Sequence, residues 1–300
     1  MPSGPELKAS VVVIGYAPAD LLTRCLSALR TQQAERADTE VLVVAHPTHQ
    51  GTALTPLKAQ FPEFEWLEAS PEHNVARMRG LGIARCSGAV VALLEGDCMP
   101  APDWLARLAQ LTPSSAIGGA VEPGAFRRAV DWAAYLCEFA RYMLPLPPAP
   151  THLPGANVAY RRASLPDPVS LEREGFYETF VNAAIGTGAS LANDSALIVR
   201  HERTWRAEKI LATRFHHGRG FAALRVRGRP ARQRLPYLAL AMALPPILVA
   251  RVLGETVRRR RLVGRAVRAL PWIVALSVSW SLGEFTGYLA GPGMSLERWR

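Results

Sequence analysis

Glu95 and Asp97 stand one glycine apart at the end of an apolar run, Val90-Val91-Ala92-Leu93-Leu94, and a proline-rich turn with Trp104 follows. Such a run suits a strand buried on both faces of a sheet. Open α/β sheets bind their ligands just beyond the carboxyl ends of strands. Two carboxylates on alternate residues there can hold a hard divalent cation, and Gly96 between them would let a bulky anion approach the backbone. The chemistry suggested is that of a nucleoside diphosphate bridged through a metal ion. The plainer reading of the same residues is an acidic strand-to-helix turn, with Asp103 near a helix start.

Elements that could position this pair are legible on both sides of it. Residues 10–16 (SVVVIGY) read as a buried parallel strand, and 19–33 as a helix with Leu21, Leu22, Cys25, Leu26 and Leu29 on one face. Residues 40–45 and 64–67 read as further strands. A helix follows over 73–86, with Val75, Met78, Gly82 and Ile83 inward and Arg77 and Arg79 on its surface. Strands are expected over 117–121, 157–160 and 190–199, and helices over 130–143, 176–185 and 204–222. The run 144–154 holds five prolines and is no regular element. Strand–helix alternation at this spacing predicts an α/β fold, a mostly parallel sheet flanked by helices.

The 300 residues carry a formal net charge of +10 and are 49% apolar. Such a balance suits nucleic acid, an anionic membrane or a phosphorylated substrate. The positions of the charges choose among these. Arginines crowd after residue 200 and alternate with apolar runs, which favours a membrane surface. Aromatics are not interleaved with the basic runs as nucleobase stacking would require, so no nucleic-acid partner is expected. No GxxxxGK[ST] loop is present, which sets nucleotide hydrolysis aside. Four scattered cysteines without a CxxC suit reduced, buried thiols. The first residues show no secretory leader, so the chemistry is expected in the cytoplasm.

From Leu235 the texture changes. Residues 235–250 and 269–283 are uncharged stretches of sixteen and fifteen residues, each short of the ~20 needed to cross a bilayer upright. Arg225, Arg227, Arg229, Arg232 and Arg234 flank the first, and Arg258 to Arg261, Arg265 and Arg268 lie between the two. Basic residues on both sides conflict with a simple crossing. A shallow hairpin bent at Pro245-Pro246, two short spans with snorkelling arginines, and two buried helices of a soluble domain remain open.

Residues 8–220 resemble the family-2 glycosyltransferases of the GT-A fold, in particular bacterial members with a carboxy-terminal membrane segment. The resemblance is carried, in order, by SVVVIGY (10–16), HNVARMRGLGIARCSGAVVALLEGDCMPAPDWL (73–105), IGGAVEP (117–123), LPGANVAYRR (153–162), GFYETFVN (175–182) and RFHHGR (214–219). The tail WSLGEFTGYLAGPG (280–293) adds to it. The resemblance implies a Rossmann-like transferase domain over 1–225 and a membrane-associated helical hairpin over 226–300. It implies an inverting, metal-dependent transfer of a sugar from a nucleotide-sugar donor to an acceptor hydroxyl, in cell-surface or extracellular polysaccharide or glycoconjugate synthesis.

By the same resemblance, Glu95 and Asp97 are the acidic motif for Mn²⁺ or Mg²⁺ and diphosphate, with Glu in place of the usual first Asp. Glu178 is the general base, followed by Thr179 where the family has a second acid. Asn157 lines the acceptor side. Arg77, Arg79, His217 and Arg219 are donors available to the leaving diphosphate, and Gly15 and Gly155 are turn or close-approach glycines. Ala45-His46 stands where the family reads the nucleobase with an Asp. The implied partners are the nucleotide-sugar donor, a lipid-linked or saccharide acceptor and membrane lipid, at the cytoplasmic face of a bacterial inner membrane. The alternative is a catalytically inactive nucleotide-sugar-binding or scaffold membrane protein of the same fold, which the missing second acid and missing Asp would suit. Plainer readings exist for several residues. Glu178 would be a helix-start carboxylate, His216 and His217 a solvated pair, and Arg77 and Arg79 surface charges.

Overall fold

A computed structural model describes residues 8–33, 38–47, 54–112, 115–185 and 191–298, in two compact units. The first comprises residues up to Gly124 together with Tyr142–Arg203; the second comprises Ala125–Arg141 and the chain from Thr204 onward.

The first unit is built on an eight-stranded mixed sheet. Strands β1 (Ala9–Gly15), β2 (Thr39–Ala45), β3 (Glu65–Glu68) and β4 (Val90–Glu95) pair in parallel, with β1 between β2 and β4. Every residue of β1 is buried, as a strand covered on both faces must be. The sheet continues through β5 (Cys98–Pro100), β6 (Ala116–Pro123), β7 (Asn157–Arg161) and β8 (Leu191–His201) in the order β3-β2-β1-β4-β7-β6-β8-β5. Here β6 and β8 run parallel, while every antiparallel pairing involves β7 or β5. The parallel pattern expected from the sequence thus holds for β1 to β4 and gives way beyond them. Ser190, the expected start of β8, lies outside the described residues.

Helices α1 (Ala19–Gln33), α2 (Leu54–Gln60), α3 (Val75–Arg85), α4 (Trp104–Leu108), α6 (Pro168–Glu174) and α7 (Glu178–Ile185) accompany this sheet. Asn74 starts α3 by accepting the Arg77 amide at 2.9 Å, a side-chain cap for an otherwise unpaired N–H. Gly82 lets α3 lie directly on Val12 and Val44 of the sheet. The short helices α2 and α6 escape a sequence reading because each buries one residue, Leu57 and Leu171, and so shows no period.

Burial pushes the Cys25 thiol far above its ordinary range, with Asp97 adding to the effect, and burial raises Cys86 to about 12. Thiolate is the reactive form. A maleimide at neutral pH should therefore leave Cys25 and Cys86 unmodified until denaturant is added. Rapid native labelling of either, followed by peptide mapping, would contradict the packing.

The second unit contains α5 (Ala129–Phe139), α8 (Ala207–Arg225), α9 (Leu235–Arg258) and α10 (Val263–Ala290). The expectation of short apolar segments is corrected here. Arginine is a good helix former, so α9 runs on past its apolar stretch through Arg251 to Arg258 and α10 begins ahead of its own with Arg265 and Arg268 inside it, giving 24 and 28 residues, about 36 and 42 Å at 1.5 Å per residue. Both are long and apolar enough to cross a membrane by length and composition. Pro245 and Pro246 lie inside α9, and the helix continues through them. Helices α5 and α8 belong to the same compact unit as these two, whereas the sequence suggests a division at 225.

Candidate functional site

Glu95 is the last residue of β4, and Gly96 and Asp97 turn the chain into β5. The glycine suits a tight spot: a Cβ at 96 would lie 2.8 Å from Leu22 Cδ1 and 3.0 Å from the Ile14 carbonyl oxygen, so both would have to shift. Its amide donates to that same oxygen at 3.1 Å. Gly96 therefore fits the turn against β1 and α1, a reason the sequence did not disclose. Asp97 is buried, and its carboxylate faces two residues from the end of β8. His201 Nε2 lies 3.8 Å and Arg203 Nη1 3.4 Å from Asp97 Oδ2. Antiparallel register holds them there, with Cys98 opposite His201 and the Glu202 amide donating to the Asp97 carbonyl at 2.9 Å. The sequence reading passed over His201 and Arg203. The available signal was His-Glu-Arg closing the apolar run Ala196–Val199.

The second feature is a buried arginine, which corrects the expectation of Arg79 as a surface charge. Arg79 lies on α3 at 5% exposure. Its Nη2 donates to Glu95 Oε1 at 2.7 Å, and its Nη1 pairs with Glu178 Oε2. Gly155 makes room for the guanidinium, since a Cβ there would sit 2.8 Å from Nη2. Burial alone would lower the guanidinium pKa, but Glu178 and Glu95 outweigh it and raise the value, so Arg79 stays charged. One cation thus ties α3, the edge of β4 and the first turn of α7 together. Asn182, one turn on from Glu178, accepts the buried Tyr160 hydroxyl at 2.8 Å. The planar fork of arginine suits two carboxylates, which a lysine could not grip in the same way.

Removing one member of a buried ion pair leaves the others uncompensated, at about 3–5 kcal/mol when burial is complete. The two glutamates are about a quarter exposed, so water screens part of this. Arg79→Met is expected to cost about 2–3 kcal/mol of folding stability, measured by denaturant unfolding. An unchanged midpoint would show that the ion pairs contribute little.

The remaining candidates are placed as follows. Asn157 is fully buried; its Nδ2 donates to Ala120 O at 2.9 Å and Leu197 O at 2.8 Å, and its Oδ1 accepts from Trp104 Nε1 at 3.0 Å. With both donors engaged, the side chain serves the sheet, contrary to the expectation that it lines an acceptor pocket. Arg77 reaches the Glu172 carbonyl at 3.1 Å. Gly15 ends β1 at the same sheet edge as Glu95, in register with Ala45. His46 is buried, 3.1 Å from the Pro71 carbonyl through Nε2 and 5.0 Å from the Tyr16 ring. His217 and Arg219 belong to α8 in the second unit, where Arg219 Nε donates to the Gly291 carbonyl at 2.9 Å.

No cluster of three or more His, Cys, Asp or Glu side chains suited to a metal occurs among the described residues. Asp97 and His201 form a pair. A magnesium-type ion is commonly held by one or two carboxylates plus substrate phosphates and water. The donor set fits a cation that arrives with a diphosphate and does not fit a cage closed by protein alone.

A mixed sheet flanked by helices, with β4 ending at Glu95, is the architecture of glycosyltransferases of the GT-A type. Residues 10–166 match the model of glycosyl transferase family 2. The chain belongs to that family. Among curated proteins it is 32% identical over 100 residues to glycosyltransferase AglE of Haloferax volcanii, and that match covers 33% of each chain. The matched stretch thus spans about a third of the length of that relative. The solved mannosyltransferase PcManGT of Pyrobaculum calidifontis, in complex with GDP-Man and Mn²⁺, shares the fold over 99% of this chain and 86% of its own, with 18% identity and a TM-score of 0.51. TarS of S. aureus, residues 1–349, aligns over 90% of both chains at 14% identity and a TM-score of 0.47.

Proposed function

We propose that the chain is an inverting, cation-assisted transferase that moves a sugar from a nucleotide-sugar donor onto an acceptor hydroxyl. The observation that carries this reading is the convergence of Glu95, which stands two residues before Asp97, and the sequence-distant Glu178 on the single guanidinium of Arg79. Asp97 would hold Mn²⁺ or Mg²⁺ with the donor diphosphate, with His201 beside it as a further donor to Mn²⁺, while Glu95, expected from the sequence as a second ligand, is engaged by Arg79. Such a cation, when bound, neutralises charge building on the leaving group. Arg203 sits where it would add to that neutralisation. Glu178 takes the role of general base. Its Oε2 is committed to Arg79, which orients the carboxylate and leaves Oε1 to accept the proton of an acceptor hydroxyl. Attack on the anomeric carbon opposite the departing diphosphate inverts its configuration.

The acceptor in this reading is a lipid-linked or other saccharide, and the setting is cell-surface or extracellular polysaccharide or glycoconjugate synthesis at the cytoplasmic face of the inner membrane. The chemistry falls within residues 1–225 and the membrane attachment within 226–300. Purified protein should be stabilised against heat by one class of nucleotide sugar in the presence of Mn²⁺ or Mg²⁺, and less so with a chelator. No stabilisation across GDP-, UDP-, TDP- and CDP-sugars would defeat the donor reading.

A further inference from the structure

The geometry points to α9 and α10 lying in the plane of one anionic leaflet, half-sunk beside α5 and α8, rather than crossing the bilayer. This inference rests on the membrane attachment proposed above and specifies its form.

Helix α10 is covered on one face along its length. Ala266, Ala269, Ile273 and Leu276 are buried, and Arg265 stacks over Trp132 of α5 at 5.2 Å. Its second half lies against α8. There the backbones meet at glycines: a Cβ on Gly283 or Gly287 would strike the Phe215 or Arg219 carbonyl at 2.1 or 2.3 Å, and one on Gly218 the Trp280 carbonyl at 2.3 Å. Helix α8 carries Glu208, Lys209, Arg214 and Arg219, charges that are strongly disfavoured within hydrocarbon. Were α10 to cross a bilayer, it would draw α8 in with it.

The helix ends agree. The turn after α9 is tied to the end of α5, where Arg259 Nη2 donates to the Arg141 carbonyl at 2.6 Å. The start of α9 sits by the end of α8, with Arg225 over the Tyr237 ring at 4.8 Å. Both ends of α9 are thus fastened to neighbouring helices of the same unit, one beside the charged α8 and the other beside Arg141 just past α5, and neither is placed to reach a far leaflet.

What α10 leaves open is a single apolar stripe. Val267, Val274, Val278, Leu282 and Leu289 are exposed, up to 64%, at spacings of seven and four residues that put them on one face. Met242 on α9 is 75% exposed. Charge names the occupant. Exposed arginines bracket the apolar surface, with Arg227, Arg229 and Arg232 at one end and Arg260, Arg265 and Arg268 at the other. Apolar surface rimmed by cations matches acyl chains beneath anionic headgroups.

The test uses the full chain. It should co-sediment with vesicles of equal phosphatidylcholine and phosphatidylglycerol and remain bound in high salt. Gly264 lies at the start of α10 with open space around its Cβ, so Gly264→Cys should fold normally. In an expression host, a membrane-impermeant maleimide should label Gly264→Cys in inside-out membrane vesicles and not in intact spheroplasts, the same pattern as Glu72→Cys on the first unit. Labelling of Gly264→Cys in spheroplasts would establish a crossing, and labelling in neither preparation a deeply buried turn. Either outcome overturns the in-plane arrangement while leaving attachment intact. Failure to bind vesicles at all overturns attachment itself.

Discussion

Glu178→Gln is expected to lower kcat by about 10²–10⁴-fold, the usual scale for a lost general base, with donor affinity nearly unchanged. The amide keeps the shape of the carboxylate and can still accept from Arg79 Nη1, but it cannot take a proton from an acceptor. Steady-state kinetics, paired with titration of the donor nucleotide, separate the two effects. A collapse of donor binding with turnover preserved would assign Glu178 to binding or to structure. A fall in folding stability with kcat unchanged would make it merely the partner of Arg79.

Asp97→Asn is expected to abolish measurable transfer and, with it, the Mn²⁺- or Mg²⁺-dependent part of nucleotide binding. The substitution keeps a side-chain oxygen near His201 and Arg203 but removes the negative charge that a cation requires. Arg203 would then face no carboxylate at 3.4 Å. The fold should survive, because the turn is held by backbone contacts to Ile14 and Glu202. Undiminished turnover would remove the metal from the reaction. Intact circular dichroism with metal-independent residual binding is the expected pattern.

Much of the first unit is legible in the sequence because its elements are strongly periodic or continuously apolar. The run Ser10–Ile14, the five-residue face of α1 and the strand ending at Glu95 each mark one element without ambiguity. What escapes is set by partners remote in the chain. Arg79 looks like a surface residue on a helical wheel because neither glutamate that buries it is local. His201 gains meaning only through its antiparallel register with Cys98. Asn157 illustrates the converse: at the end of an apolar stretch it reads as a ligand-facing amide, yet two backbone carbonyls and an indole consume it. The arginines between the two apolar stretches read as borders, yet Arg251, Arg258, Arg265 and Arg268 lie inside α9 and α10 because an arginine does not stop a helix. The glycines of α8 and α10 gave no cue that these two helices belong together. A fragment ending at residue 225 would keep α8 and strip away the surface against which it packs.

The brace formed by Arg79 also constrains how such a protein can change over time. A glutamate reaches one methylene, about 1.5 Å, further than an aspartate, and β4 is pinned by neighbours on both sides. An Asp at 95 would fall short of Nη2 and leave half the guanidinium fork without its anion, while Gly155 is held small by that same guanidinium. Positions 79, 95, 155 and 178 are therefore not independent letters. A lineage that exchanged one would pass through a weakened intermediate unless a second exchange were already in place, and relatives that carry Glu at 95 in place of the usual Asp should also carry Arg79, Gly155 and Glu178.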